Sequence, residues 1–189
     1  MTGTRQKDRK VWYMVQTGQS GRYIGTPNGI VLCVRRNDRG TIEGSLYHGY
    51  SRDEIPFCGY EDIIRIAEEF FNALGFPHMG TGDRDIHGHT RDYQRKEGMA
   101  RTMKDEELLE KHGDMGTFVI RVQHRQHSSW QGRVTYLEKD KTVYFRSALE
   151  LIKIIDGTLD EIEKIDNKEH NRERQTEKTD TMGKMGEEG

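Results

Sequence analysis

The chain of 189 residues contains 33% charged and 32% hydrophobic residues and has a formal net charge of −2. These proportions indicate a small core beneath a highly solvated surface, and no apolar run approaches the roughly 18 residues that a membrane span needs. Ten acidic residues lie from residue 160 onward, so the rest of the chain is nearly neutral. The charge balance therefore gives no general electrostatic reason to expect nucleic acid. Because the N-terminal sequence lacks the apolar stretch of a signal peptide, we expect a cytoplasmic protein without membrane contact.

The chain begins with a short polar segment and an isolated strand. Residues 1–10 are basic and polar, which is typical of a mobile terminus. Residues 11–16, with the sequence VWYMVQ, have the aromatic and β-branched content of a strand. The glycine-rich loop over residues 18–29 is followed by a strand and not by a helix, so we do not expect it to bind phosphate.

The extra strand and a first β-β-β-α unit together occupy residues 11–75. A wide apolar stripe predicts a helix over 60–74, which ends at Gly75 and Pro77. Before it, the period of two residues and the β-branched content predict three short strands. These strands are expected over 30–36, 41–48 and 54–57.

Residues 76–104 form a polar connection rich in glycine, histidine and aspartate. In an extended chain His87 and His89 point the same way, and together with His78 they are weak candidates for metal ligands. No zinc-type spacing of His and Cys supports such a site, and a long solvated connection is the simpler interpretation. We therefore expect neither a cofactor nor a catalytic residue, and a metal-dependent enzyme that uses residues 78–92 is the least favoured alternative.

Residues 105–160 have the clearest local pattern, a short helix followed by a second β-β-β-α unit. Over residues 118–123 apolar and polar side chains alternate with the two-residue period of a strand. Two more short strands follow, and Ser147 stands three residues before Glu150, which is the capping pair of a helix start. Side chains expected to pack beneath this helix are Phe118, Ile120, Val122, Trp130, Val134, Tyr136, Val143 and Phe145.

The two units align with each other without a gap when the chain is shifted by 88 residues. Six of the 39 aligned positions are identical, among them Val31 with Val119 and Gly44 with Gly132. Two unrelated β-meanders would also share buried valine, isoleucine and phenylalanine, so the ungapped register is the stronger evidence. We therefore predict an α+β fold built by internal duplication, with an antiparallel three-stranded meander and a helix occurring twice.

The remaining features, a charged tail and two cysteines, indicate no chemistry. Residues 161–189 lack aromatic side chains, and their low hydrophobicity and mixed charge predict disorder. Cys33 and Cys58 lack metal-ligand spacing, so we expect small buried thiols.

One face of the second unit contains the residues that we expect to bind a partner. If the apolar positions face the helix, the opposite face displays side chains suited to phosphate and base-edge contacts, or to an acidic protein surface. The candidates are Arg121, Gln123, Arg125, Arg133, Tyr144 and Arg146. An exposed strand also often carries arginine without binding anything, so a purely solvated face stays open as an interpretation.

In its order of elements the second unit resembles the DNA-binding domains in which a three-stranded sheet, backed by one helix, reads the major groove. The likeness lies in Trp130 beside a strand, in the arginines of the open face, and in Phe145, Ser147 and Glu150 at the helix entry. This resemblance implies a sheet surface that contacts nucleic acid. We therefore expect a non-catalytic regulatory protein that binds nucleic acid, with a protein-interaction module or small inhibitor as the alternative. The pattern leaves the partner and the oligomeric state open.

Overall fold

A computed structural model of the chain describes residues 24–38, 40–80, 86–88, 98–126 and 129–184. The predicted basic N-terminus and the extra strand over 11–16 lie outside these residues. Within them, six strands form one antiparallel sheet in the order β3-β2-β1-β4-β5-β6. The strands are β1 (Ile30–Asp38), β2 (Thr41–His48), β3 (Ile55–Cys58), β4 (Gly116–Gln126), β5 (Ser129–Tyr136) and β6 (Lys141–Phe145). The helices are α1 (Gly59–Leu74), α2 (Asp105–Leu109) and α3 (Ala148–Lys184), with a 3-10 turn at Leu137–Lys139.

This architecture confirms the predicted α+β class, the two meanders and the helix that follows each of them. The meander β1-β2-β3 precedes α1, and the meander β4-β5-β6 precedes α3. We call the first group unit one and the second group unit two. The two meanders share one sheet, because β1 pairs with β4 at its centre.

The central pairing of β1 with β4 relates the two units by a local two-fold arrangement. Val31 lies opposite Val119, its counterpart 88 residues further along the chain. On one side of this pair, Ile30 lies opposite Ile120, which is the counterpart of Leu32. On the other side, Leu32 lies opposite Phe118, which is the counterpart of Ile30.

An irregularity in strand pairing occurs at the same place in both units. The register of β1 against β2 shifts between Val34 and Arg36, and that of β4 against β5 shifts between Val122 and His124. Each shift adds one residue to one strand, which is the definition of a β-bulge. Beyond each bulge, residues face the opposite side of the sheet from the one that simple alternation predicts.

A glycine opposite a phenylalanine follows in both units. Gly44 pairs with Phe57, and Gly132 pairs with Phe145. A Cβ atom at Gly44 would come within 2.9 Å of the Phe57 ring, and one at Gly132 within 3.0 Å of the Phe145 ring. In each case the same Cβ would also collide with a carbonyl oxygen of the neighbouring strand, so only glycine fits.

Helices α1 and α3 both cover one face of the sheet, as the sequence predicts. Their buried side chains join those of all six strands in one hydrophobic core. The α3 start uses the predicted capping pair, because Ser147 accepts a hydrogen bond from the Glu150 N–H at 3.1 Å and the Glu150 carboxylate accepts one from the Arg146 N–H at 2.7 Å. The core residues of unit two are Phe118, Ile120, Val122, Trp130, Val134, Phe145, Leu151, Ile155 and Leu159.

The opposite face of the sheet is covered at its centre, and the expectation that it would be open is wrong there. Met103 and Leu108 of the chain around α2, with Ile24, pack on Val31 and Val119 in a second core. The covering segment is held by the Thr102 and Met103 N–H groups, which donate to the Gly49 carbonyl at 2.8 and 3.1 Å. The reason is topological: a chain that leaves α1 and returns to β4 passes over the outer face, where Val31 and Val119 need a cover.

The two cysteines have different environments. Cys33 lies in the second core, where burial raises the pKa of its thiol to about 12. Cys58 is exposed at the end of β3, so the prediction of a buried thiol is wrong at this position. Both thiols are free.

Helix α3 continues to Lys184, through most of the segment for which composition predicted disorder. Among the helix side chains whose burial the structure describes, Leu159 is fully buried and Ile165 is already 46% exposed. In the part of the chain that the structure covers, no helix has the length and hydrophobicity that a bilayer crossing requires.

Candidate functional site

The six predicted contact residues do not form one surface. Gln123, Tyr144 and Arg146 are exposed and Arg133 is half-buried. Arg121 and Arg125 are buried, at 3% and 5% exposure, so the prediction that they face solvent is wrong. Four of the six therefore remain as candidates for direct contact.

Arg121 lies on the outer face, but beneath the chain that covers the centre of the sheet. Its Nε donates to the Ile24 carbonyl at 2.7 Å and its guanidinium donates to the Thr135 hydroxyl at 3.0 Å. Burial, together with the neighbouring charge of Arg133, lowers the pKa of Arg121 to about 10. Arg121 therefore adds positive potential below Arg133, its direct cross-strand neighbour, without being a contact residue itself.

Arg125 lies on the helix face because the β4 bulge precedes it. Its guanidinium forms an ion pair with Glu68 at 2.7 Å and donates to the Asn72 side chain at 2.7 Å and to the Pro77 carbonyl at 3.0 Å. It also lies over the Phe71 ring, 5.6 Å from the ring centre. Arg125 thus attaches unit two to α1, and the residue alternation alone could not reveal this because the bulge changes the period.

Three of the four remaining candidates lie at the β5–β6 end of the sheet, and Gln123 lies at the bulge of β4. We call Arg133, Tyr144 and Arg146 the β5–β6 patch. Arg133 lies directly opposite Tyr144, whose exposure is 58%. The Arg146 side chain is 90% exposed and forms one long ion pair with Glu150 at 3.6 Å.

Arg133 is the member of this patch with the least satisfied hydrogen-bonding groups. Its Nε is buried and has no hydrogen-bond partner among the residues that the structure describes. On the same face, the hydroxyls of Thr135 and Thr142 bond to each other at 2.9 Å. A half-buried guanidinium next to an exposed phenol ring can bind an anion and a flat ring together.

The structure describes two of the three predicted metal candidates. His78 and His87 are both exposed, and His89 lies outside the described residues. Across the ranges that the structure describes, no three His, Cys, Asp or Glu side chains approach each other closely enough to hold a metal ion.

A cavity that residue patterns did not reveal lies on the helix face of unit two. It has a volume of about 300 Å³ and opens between α3 and the β5–β6 end of the sheet. Val134, Val143 and Ile154 line its apolar part, while Lys139 and Lys141 lie at its rim. Phe118, Tyr136, Gly157, Thr158 and Glu161 complete the lining.

In unit one a phenylalanine lies at the position equivalent to Thr158, which lines this cavity. Phe70 occupies the position equivalent to Thr158, 88 residues earlier, and stacks on His48 with ring centres 4.1 Å apart. Tyr50 packs against Phe70 from the side at 5.8 Å. The alignment of Phe70 with Thr158 is the sequence signal that could have revealed the cavity.

Comparison with known proteins gives no match: no family model matches the chain, no curated protein matches it, and no solved structure matches it.

Proposed function

We propose that this chain is a non-catalytic binding protein that contacts nucleic acid through the β5–β6 patch. The observation that carries the proposal is the cross-strand pair of Arg133 and Tyr144, in which a half-buried guanidinium adjoins an exposed aromatic ring. Guanidinium groups bind phosphate with two parallel hydrogen bonds, and tyrosine rings stack on unpaired bases. Arg146 extends the positive surface beyond the end of β6.

The surrounding charges support this proposal. Arg121 lies beneath Arg133 in the buried part of the outer face, and the closeness of the two positive charges contributes to the lowered pKa of Arg121. In unit one the corresponding region contains Glu54, which pairs with Arg35 at 2.8 Å. Arg35 is therefore paired at 2.8 Å in unit one, whereas the ion pair of Arg146 in unit two is longer, at 3.6 Å, and its side chain is 90% exposed.

We also infer that the two units descend from one duplicated β-β-β-α segment and that unit two acquired the binding role. Three equivalences support the inference: the pairing centred on Val31 and Val119, the bulges after Val34 and Val122, and the Gly–Phe pairs. Independent meanders would have no reason to share all three at one spacing of 88 residues.

The test is a binding titration with fluorescently labelled single-stranded and duplex oligonucleotides at low and physiological salt. We expect affinity to fall steeply with salt, because each phosphate contact releases counterions. The double variant Arg133→Ala/Arg146→Ala should weaken binding about tenfold or more and reduce the salt slope by about 2.

The matched control is Arg36→Ala/Arg65→Ala in unit one, which removes the same charge from exposed side chains that pair with Glu43 and Asp62. This control should bind nearly as well as the intact protein. Equal losses in the two double variants, or affinity independent of salt, would refute the patch as a nucleic-acid surface.

A partner protein is the second candidate, favoured by the position of β6 at the edge of the described sheet. An edge strand can accept a strand from another chain. This candidate predicts that the intact protein binds no oligonucleotide at low salt, which separates it from the first.

A further inference from the structure

We propose that the cavity of unit two binds a small amphipathic anion, a molecule with an apolar body and one carboxylate. Its apolar wall is formed by Phe118, Val134 and Val143 from the sheet and Ile154 from α3. Phe118 and Val134 are buried members of the main core, so this wall is rigid.

The rim of the cavity provides the charge complementarity. Lys139 follows β5 in the 3-10 turn and Lys141 begins β6, and both are exposed. The ion pairs among described residues include neither lysine. One acidic side chain, Glu161, stands on the α3 side, so the lining has an excess of positive charge at the sheet side.

The comparison with unit one argues that the cavity is not required by the fold. In unit one the equivalent side chain, Phe70, is buried between helix and sheet, where it stacks on His48 and packs against Tyr50. Thr158 and its neighbour Gly157 replace Phe70 and Glu69, and a Cβ atom at Gly157 would meet no atom within 4 Å. An unfilled apolar space costs stability, which a bound apolar ligand recovers.

The volume limits the ligand. Ligand pockets commonly measure about 300–1,000 Å³, and this cavity lies at the lower end of that range. A medium-chain carboxylate fits such a volume, whereas a dinucleotide does not. The apolar wall contacts the hydrocarbon part of the ligand, and Lys139 and Lys141 bind its carboxylate at the mouth of the cavity.

This site is independent of the proposed nucleic-acid surface. The cavity lies on the helix face of the sheet, whereas Arg133, Tyr144 and Arg146 lie on the outer side or beyond the end of β6. Loss of one binding activity therefore leaves the other available for measurement on the same preparation.

The experiment is a calorimetric titration of the full chain with decanoate and, separately, with decanol. We expect one decanoate per chain and binding of decanol about tenfold weaker, since the alcohol lacks the charge. The variant Lys139→Gln/Lys141→Gln should bring decanoate affinity down to that of decanol and leave decanol binding unchanged.

Two filling variants test the location of the site. Thr158→Phe restores the side chain of unit one, and Gly157→Leu fills the same space from the next position. Each should abolish binding of both compounds while the melting temperature is retained or raised. If Thr158→Phe lowers the melting temperature, the binding measurement on the Gly157→Leu variant tests the location of the site. Unchanged decanoate binding in a filled, folded variant, or equal affinity for decanoate and decanol, would overturn the proposal.

Discussion

The two units have the same order of strands and helix, but they differ in side-chain size at one helix position, which is Phe70 in unit one and Thr158 in unit two. In unit one, Phe70 of α1 lies against His48 and Tyr50 and closes the space between helix and sheet. In unit two, Thr158 at the equivalent position is too small to reach Tyr136, and about 300 Å³ stays open. Because register, bulge and glycine positions agree between the units, this difference comes from side-chain size and not from backbone geometry.

A second difference lies on the outer face. Cys33 and Arg121 are equivalent residues, and both are buried. The thiol packs among apolar side chains, whereas the guanidinium requires the Ile24 carbonyl and Thr135 as acceptors. Unit one therefore closes its centre by hydrophobic packing, and unit two places a charge at the same depth.

The largest expected effect concerns the glycines that both units share. Gly44→Ala and Gly132→Ala should each lower the free energy of unfolding by more than about 3 kcal/mol, since the new methyl group collides with a strand carbonyl and a phenylalanine ring. Chemical denaturation of each variant measures this loss.

The control for the glycine pair is Gly116→Ala, whose Cβ would lie 3.2 Å from a movable Tyr136 ring edge and should cost much less. Comparable losses of stability at Gly44 and Gly132 would support the equivalence of the two units. If alanine is tolerated at one position and not at the other, the units are not equivalent there.

Arg125→Ala is expected to have the next largest effect, about 2 kcal/mol, because the change leaves Glu68 half-buried without its partner. The equivalent residue in unit one is Asn37, the penultimate residue of β1, whose side chain is neutral and whose buried Oδ1 has no hydrogen-bond partner among the described residues. Asn37→Ala should therefore cost under about 0.5 kcal/mol. Thermal unfolding of both variants measures the difference, and equal losses would show that Arg125 does not attach unit two to α1.

Gly157→Ala should stabilise the protein by about 0.5–1 kcal/mol, because alanine suits an exposed helix interior better than glycine and its Cβ meets no atom within 4 Å. The control is Glu69→Ala at the equivalent position of α1, which removes a surface ion pair with Arg65 and should change stability by at most about 0.5 kcal/mol. A destabilised Gly157→Ala would mean that the glycine is needed for helix packing.

The smallest expected effect is the pH dependence of stability that His48 of unit one produces. Burial lowers the pKa of His48 below its usual value of 6.5, so the unfolded chain takes up a proton before the folded one does. Stability is therefore constant above about pH 7 and falls as the pH drops from 6.5 toward the folded pKa. Its Nδ1 accepts the Tyr50 N–H at 3.2 Å, in agreement with a neutral ring.

Denaturation between pH 5 and about pH 8 measures this slope, and His48→Gln removes the titrating group while it keeps an acceptor. The variant should show a flatter profile over that interval. An identical slope in the variant would assign the pH dependence to other groups.

Residue patterns predicted the local structure of both units well, because local structure depends on neighbours in the chain. Alternation along β4 placed Phe118, Ile120 and Val122 in the core, and Ser147 with Glu150 marked the start of α3. Gly75 ended α1 as expected. Each of these signals is a residue period or a helix cap that spans only a few residues.

The candidate site was predicted only in part, for two physical reasons. The bulge after Val122 adds one residue to β4 and turns Arg125 to the helix face, and alternation cannot indicate where a strand gains a residue. The chain around Met103 and Leu108 covers Arg121, and that contact joins residues far apart in sequence.

The amino-acid sequence by itself determined the strands, the helix starts, the repeat spacing of 88 residues and the side chains available for binding. Only the tertiary structure decided which arginines reach solvent, how β1 and β4 join the units, and that a cavity lies beside Thr158 whereas Phe70 stacks on His48. The reason is that burial and free volume depend on what packs from elsewhere in the chain, whereas periodicity records only the order of residues within each element.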